Sequence, residues 1–192
     1  GLSVSSTTLL TAMWAIGALA GFALAARWLS RGIDPYRMAG RGILAGIAAF
    51  CAVIFAAPLS SPALFYMGAC GIGFGGGLFS VATLTAAMTM PAGGLAGRGL
   101  ALGAWGAAQA TAAGLSIAIG GGLRDGVGHL AQSGALGPAL NDASFGYSFV
   151  YHTEIGLLFA TLIVLGPLVR TVILNPEQMR SSGKIGIADF PT

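Results

Sequence analysis

The chain has 192 residues, of which 55% are hydrophobic and only 8% are charged. A water-soluble domain usually carries about 25% charged residues, so this chain has too few charges to cover its surface in water. The formal net charge of +3 is too small to indicate nucleic-acid binding. The composition therefore excludes an ordinary soluble domain and predicts an all-α, polytopic transmembrane helix bundle with the lipid bilayer as its solvent.

Five apolar stretches are long enough to cross a bilayer, because about 20 apolar residues in a helix span its hydrocarbon core. In chain order they cover residues 8–28, 39–57, 64–89, 99–123 and 148–169. A backbone in lipid must satisfy its own hydrogen bonds, and these stretches lack the alternation of barrel strands, so we expect helices. Residues 1–174 are thus predicted to form the bundle, and residues 175–192 a poorly ordered cytoplasmic tail.

The positive charges predict the orientation of the bundle. The side that holds the first loop, the third loop and the tail carries eight of them, whereas the opposite side carries only Arg124. The eight are Arg27, Arg31, Arg37, Arg41, Arg98, Arg170, Arg180 and Lys184. Because cytoplasmic loops are enriched in Lys and Arg, we expect an outside N-terminus and a cytoplasmic C-terminus. An odd number of spans and the first residue, Gly1, further suggest a piece of a longer protein.

Small residues recur at helical spacing in three of the stretches. The first stretch has the pair Gly17 and Gly21, and the second has Gly42 and Gly46. The fourth has one continuous small face, formed by Gly99, Gly103, Gly106, Ala110 and Gly114. Small residues let membrane helices approach closely, so these faces predict tight helix packing, with a hinge or a ligand contact as the alternative.

Two classes of site are disfavoured by the sequence. Gly71, Gly73 and Gly76 match the dinucleotide pattern G-x-G-x-x-G, but they lie within an apolar span, and no acidic residue follows at the required distance. Cys51 and Cys70 each stand alone in an apolar run, without the spacing of a metal site. Since no catalytic constellation is present either, we expect neither a resident metal nor an enzyme.

Polar residues inside the fourth and fifth stretches are candidates for ligand contact or ion coupling, because burying them in lipid is costly. Gln109 suits either an interhelical hydrogen bond or a ligand contact. Adjacent residues do not face each other on a helix, so Arg124 and Asp125 are each expected to pair with another group. Glu154 suits either pairing with Arg124 or water, or a proton or ligand role, and His152 either an interfacial position or ligation of a magnesium porphyrin.

Several segments together resemble the PucC family. They are TLLTAMW at residues 8–14, ARWLSRGIDPYR at 26–37, GLALGAWGAAQ at 99–109 and GGGLRD at 120–125. The resemblance covers the chain to about Arg170 and is most specific at Trp105, Gln109 and the GGLRD end. It implies helices eight to twelve of a twelve-helix protein, which is most of the C-terminal half of a major facilitator fold.

The resemblance also implies a function. The family is associated with assembly of light-harvesting complexes in the inner or intracytoplasmic membrane of phototrophic bacteria, with bacteriochlorophyll as a proposed cargo. Antenna polypeptides, and with them pigment-synthesis proteins, are the implied partners. Trp105 then joins the five polar residues above as a pigment-contact candidate.

The alternative function is a proton- or ion-coupled facilitator that transports a small solute. By resemblance, Arg27, Arg31, Asp34 and Arg37 occupy the place of the cytoplasmic facilitator signature loop. The signature has an acidic residue four positions after a glycine, whereas Ala25 follows Gly21 here. The departure argues against ordinary transport gating.

Overall fold

The structure, a computed structural model, describes residues 4–90, 94–142 and 144–174. Its elements in chain order are α1 (Val4–Leu29), α2 (Pro35–Ala56), α3 (Pro62–Met88), α4 (Gly94–Gln132), a 3₁₀ turn (Pro138–Leu140) and α5 (Phe145–Leu174). All five α-helices are long and apolar enough to cross a membrane, which confirms the predicted all-α, five-span class. The predicted tail, 175–192 with Arg180 and Lys184, lies outside the described residues, as does the side chain of Arg170.

Polar caps and prolines set the starts of α2 and α3. Asp34 caps α2 because its Oδ2 accepts a hydrogen bond of 2.8 Å from the backbone N–H of Arg37. Ser61 caps α3 in the same way, with its Oγ accepting from Leu64 N–H at 3.3 Å. Proline follows each cap, at the helix position where its missing N–H costs least. Both helices therefore begin before the apolar stretches that predicted them.

Helix α4 is longer than its apolar stretch. The sequence predicted that this helix ends at residue 123 and that a loop covers residues 125–147. In the structure the helix continues to Gln132. Apolar residues recur beyond residue 123, and one of them, Ala131, is fully buried. At 1.5 Å per residue its 39 residues extend about 58 Å, roughly twice the thickness of the hydrocarbon core. Asp125 and His129 therefore lie on a helix and not in a loop.

Helix α3 is the centre of the bundle and packs against both α1 and α2. Glycines make these contacts backbone to backbone: a Cβ at Gly17 would clash with the Cys70 carbonyl, and one at Gly73 with the Trp14 carbonyl. Between α2 and α3, a Cβ at Gly42 would come within 2.7 Å of the Gly75 carbonyl oxygen. The cytoplasmic half of this unit, by the predicted orientation, holds a fully buried core of Ala25, Met38, Ala39, Leu78 and Ala82.

Helices α4 and α5 pack on one flank of the three-helix unit. Helix α5 contacts α2 and α4, and α4 has a smaller contact with α3. Residues 107–119 of α4 are all exposed. A Cβ added at Gly99, Gly103, Gly106 or Gly114 would meet no atom within 4 Å. The predicted small face of α4 thus contacts no helix of the described chain.

Candidate functional site

An apolar cleft of about 440 Å³ opens where α2, α3, α4 and α5 meet. Its large side chains include one from each of the four helices, namely Tyr36, Phe79, Trp105 and Leu165. Small residues leave the space between them: Ala39, Ala82, Ala86, Ala87, Ala101 and Ala104. Among the described residues no charged side chain lines this cleft. Its volume falls in the range of small-molecule sites, roughly 300–1,000 Å³.

One polar contact fixes the wall of the cleft. The indole Nε1–H of Trp105 donates a hydrogen bond of 3.2 Å to the hydroxyl oxygen of Thr83. That hydroxyl in turn donates to backbone carbonyls of its own helix, at 2.9 Å to Phe79 and 3.2 Å to Ser80. Trp105 is therefore held in one orientation across the α3–α4 junction, with its ring along the cleft.

Thr83, Tyr36 and Phe79 were not among the residues singled out from the sequence. Thr83 and Trp105 are separated by 22 positions, and no periodicity links residues on two different helices. Only the packing of α3 against α4 brings them together. Trp105, by contrast, was predicted through the family resemblance, and it lies in the cleft wall.

Gln109 lies one turn beyond Trp105, on the exposed part of α4. Within the described ranges its side chain forms no hydrogen bond, so the predicted interhelical bond is not formed among these helices. Gln109 still requires a hydrogen-bond partner, because an unpaired amide in lipid costs free energy. A contact with a ligand or another polypeptide stays a prediction.

Arg124 pairs with its neighbour, contrary to the sequence-based expectation. Its Nη2 lies 2.6 Å and its Nε 2.8 Å from Oδ1 of Asp125. The expectation was wrong because the long guanidinium side chain folds back to reach a carboxylate that is itself 69% exposed. Arg124 also stacks over the Tyr147 ring, with its guanidinium carbon 5.4 Å from the ring centroid. The alternative pairing with Glu154 is therefore not formed.

Gly146 lets α5 approach α4 closely beside Arg124. A Cβ at Gly146 would clash with the Arg124 carbonyl oxygen and lie 3.2 Å from the Gly128 nitrogen. The close approach places Tyr147 beside the guanidinium. Arg124, Asp125 and Tyr147 thus join the two helices at the end predicted to face outside.

His152 and Glu154 lie one to two turns further along α5. His152 is exposed, and its Nδ1 is 2.7 Å from the backbone carbonyl oxygen of Ser148. Glu154 is half-buried and has no ion-pair or hydrogen-bond partner among the described residues. Tyr151, the residue before His152, contacts the ring of Phe50 at a centroid distance of 6.2 Å, which anchors α5 on α2.

The arginines of the α1–α2 connection are exposed at the opposite end of the bundle. Arg27 lies in the last turn of α1, Arg31 in the turn and Arg37 at the start of α2, where Asp34 provides the cap. Arg41 stacks over Trp28 at 5.2 Å, a contact that the sequence did not indicate. None of these arginines forms a salt bridge within the described chain.

The described residues offer surfaces to which a ligand could bind. In the described part of the chain, no three His, Cys, Asp or Glu side chains come together as a metal site. The cleft offers apolar surface and aromatic rings, and the outer faces of α4 and α5 offer exposed apolar side chains such as Ile117 and Ile163, 77% and 76% exposed.

Comparison with known proteins places these features in a family. The model of the family described as PUCC protein matches residues 1–173. The chain is 54% identical, over its full length, to a Rhodobacter capsulatus protein described as an uncharacterized protein in the puhA-bchM intergenic region. It is 45% identical, over 90% of its length, to Protein PucC of Cereibacter sphaeroides, and 55% identical, over 66%, to Protein PucC of Rhodovulum sulfidophilum.

These relatives are longer proteins. The chain covers 40% of the Rhodobacter protein, 36% of the Cereibacter protein and 27% of the Rhodovulum protein. No solved structure matches the chain. The likeness to half of a major facilitator fold therefore stays a prediction.

Proposed function

This chain belongs to the PucC family, and from that membership we propose that it acts in the assembly of photosynthetic complexes. It is an integral membrane protein whose five apolar helices contact the lipid bilayer. In the proposed role it binds bacteriochlorophyll and hands it to light-harvesting antenna polypeptides. The step is binding and transfer, without bond making, so the protein is not an enzyme.

The observation that carries the proposal is the apolar cleft with its fixed tryptophan. A bacteriochlorophyll is largely apolar, and a cleft of about 440 Å³ matches a part of the pigment, such as its isoprenoid tail. Alanines along α3 and α4 supply the width, and the ring of Trp105 supplies a flat contact surface. Apolar pockets with few polar groups are typical of such ligands.

The exposed face of α4 supports the second half of the proposal, contact with antenna polypeptides. In lipid, helices associate through close backbone approach and polar side chains, because apolar surface alone gives no preference over lipid tails. Helix α4 offers both, with Gly103 and Gly106 open to an incoming helix and Gln109 free to donate and accept hydrogen bonds.

Filling the cleft tests the proposal. Ala104→Leu places a larger side chain in the cleft from an exposed position of α4, so the helix itself is expected to form normally. Overpacking typically costs about 1–3 kcal/mol, which corresponds to roughly 5- to 150-fold in affinity. The full-length protein carrying this change, purified from a phototroph in mild detergent, should retain much less bacteriochlorophyll, and the membranes should absorb less at the antenna bands.

The matched control is Ala12→Leu, the same change at an exposed position of α1, a helix that does not line the cleft. It should leave the amount of bound pigment unchanged. Equal pigment in the Ala104 variant and the wild-type protein would rule out the cleft as the pigment site.

One observation favours the second candidate, ion-coupled transport. Coupling requires a membrane-embedded carboxylate, and Glu154 is half-buried in α5 without a described partner, whereas Asp125 is held by Arg124. Glu154→Gln keeps the size of the side chain and removes its proton exchange. If a strain that carries Glu154→Gln assembles antenna at the wild-type level, Glu154 is not a coupling carboxylate, and the transport hypothesis loses its main support.

A further inference from the structure

Helix α5 carries an exposed stripe of residues around His152 that does not line the cleft. Phe149, His152, Gly156, Phe159 and Ile163 follow at steps of three or four residues, so they share one face of the helix. All five are exposed, with Phe149 42% and Phe159 52% accessible. A polar imidazole among apolar residues on an exposed face of a membrane-spanning helix costs free energy, so it points to a function.

This stripe is separate from the cleft. At about 100° per residue, His152 lies on the opposite side of α5 from Thr161 and Leu168, which line the cleft. A ligand at His152 would therefore approach from outside the five-helix bundle.

The hydrogen bond of His152 determines which ring nitrogen is free. Its Nδ1 is 2.7 Å from the carbonyl oxygen of Ser148, and a carbonyl can only accept, so Nδ1 carries the proton. In the neutral imidazole the Nε2 lone pair is then available. A histidine whose Nδ1–H is bound to a backbone carbonyl is the usual form of a metal ligand, because that bond fixes the ring and raises the basicity of Nε2.

The surroundings define the class of ligand. No cluster of three ligating side chains exists among the described residues, so His152 alone cannot hold a bare ion. A metal that already has four in-plane ligands needs only one axial group. Gly156, one turn further on the same face, leaves open space, since a Cβ there would meet no atom within 4 Å. Phe149 and Phe159 flank that space with aromatic surface.

We propose that Nε2 of His152 is the axial ligand of a planar metal–tetrapyrrole that docks against the exposed stripe of α5. In this step the Nε2 lone pair is donated to the metal, and a weakly held solvent or lipid ligand leaves. The site lies within about 10 Å of the start of α5, by its rise of 1.5 Å per residue. The proposal rests on the proposed pigment-handling function and assigns it an entry or exit point at the membrane surface of α5.

The test compares a metal-containing probe with its metal-free form. The full-length protein, produced in a host without bacteriochlorophyll, is titrated with bacteriochlorophyll a and with bacteriopheophytin a, and resonance Raman spectra report the coordination of the magnesium. The wild-type protein should prefer the magnesium form and show an axial nitrogen ligand. Loss of even an outer-shell partner weakens metal affinity about 10–100-fold, so His152→Leu should lower affinity for the magnesium form at least about tenfold. Affinity for the metal-free form should not change.

Three further variants separate an effect on binding from an effect on folding. His129→Leu removes the other histidine of the chain and should leave both affinities unchanged. Gly156→Leu keeps the imidazole but fills the open space beside it, so it should weaken both probes. Gly166→Leu is its control, about 21 Å from His152 along the same helix and also in open space.

The outcomes separate this site from the proposed function. Equal affinity of the wild-type protein for the two probes, or an unchanged magnesium preference in His152→Leu, overturns the His152 site. Normal antenna levels in a strain that lacks the whole protein overturn the proposed function instead, whatever the binding data show. Loss of the axial-ligand signal in His152→Leu, with His129→Leu unaffected, supports the site.

Discussion

Glycines have different roles in the two regions of this bundle. In the three-helix unit of α1, α2 and α3 (the α1–α3 unit), the glycines lie where backbones touch, as at Gly17 and Gly73. A methyl group there would clash with a carbonyl of the neighbouring helix. Along α4, Gly103 and Gly114 have the same helical spacing but face open space. Glycine spacing shows only that another helix could approach closely. Whether a close contact forms depends on which helix is the neighbour.

This difference divides the molecule into a scaffold and a binding region. The α1–α3 unit has the buried core and the closest contacts. The exposed stripe lies on α5, and the cleft forms where α4 and α5 pack against α2 and α3 of this unit. The open surfaces of α4 and α5 are those on which we propose that a ligand or another polypeptide acts.

The largest expected effect is at the centre of the scaffold. Gly73→Ala places a methyl group against the carbonyl of Trp14, and helix backbone cannot move aside as a side chain does. We expect the free energy of unfolding in detergent to fall by about 3 kcal/mol or more, at the upper end of overpacking effects.

Gly103→Ala is the matched change on α4. It meets nothing within 4 Å, and alanine favours a helix over glycine by about 0.5–1 kcal/mol, so stability should stay the same or rise slightly. Similar losses from both substitutions would remove the distinction between scaffold and binding region.

An intermediate effect is expected at Gly146, where α5 comes closest to α4. Gly146→Ala would push α5 away from the Arg124 carbonyl and separate Tyr147 from the guanidinium. We expect a loss of about 1–3 kcal/mol in stability and greater protease access to the connection between the two helices. Gly156→Ala on the same helix is the control, because its position is open. An unchanged stability would mean that α4 and α5 are not held together at this point.

Much of the architecture was predictable from local signals. The five spans follow from apolar length, and the Gly17–Gly21 pair correctly marked a close contact of α1, because backbone approach leaves a trace in residue size. The end of α4 was not predictable in the same way. Its last turns contain Asp125 and His129, whose polarity resembles a loop, and the helix persists there beyond the apolar stretch.

The site was less accessible to sequence reasoning than the spans. The Arg124–Asp125 pair depends on the rotamer of one long side chain, which residue spacing does not determine. The cleft depends on how α4 lies against α3, and no residue pattern on either helix alone specifies that. His152 was identified as a candidate, but the position of the ring proton, on Nδ1, follows only from the contact with the Ser148 carbonyl.

The smallest predicted effect concerns the hydrogen bond that joins the two regions. Scaffold helices meet through backbone contact, whereas α4 is tied to α3 by the bond from Trp105 to Thr83. Trp105→Phe and Thr83→Val each remove it, and a double-mutant cycle isolates its coupling free energy. Polar pairs between membrane helices average about 0.6 kcal/mol and reach about 1.7, so we expect a coupling in that range. Stability measured for the four proteins gives the value. A coupling near zero would leave α4 connected to the scaffold mainly through α5, and the wall of the cleft would then be free to move with α4.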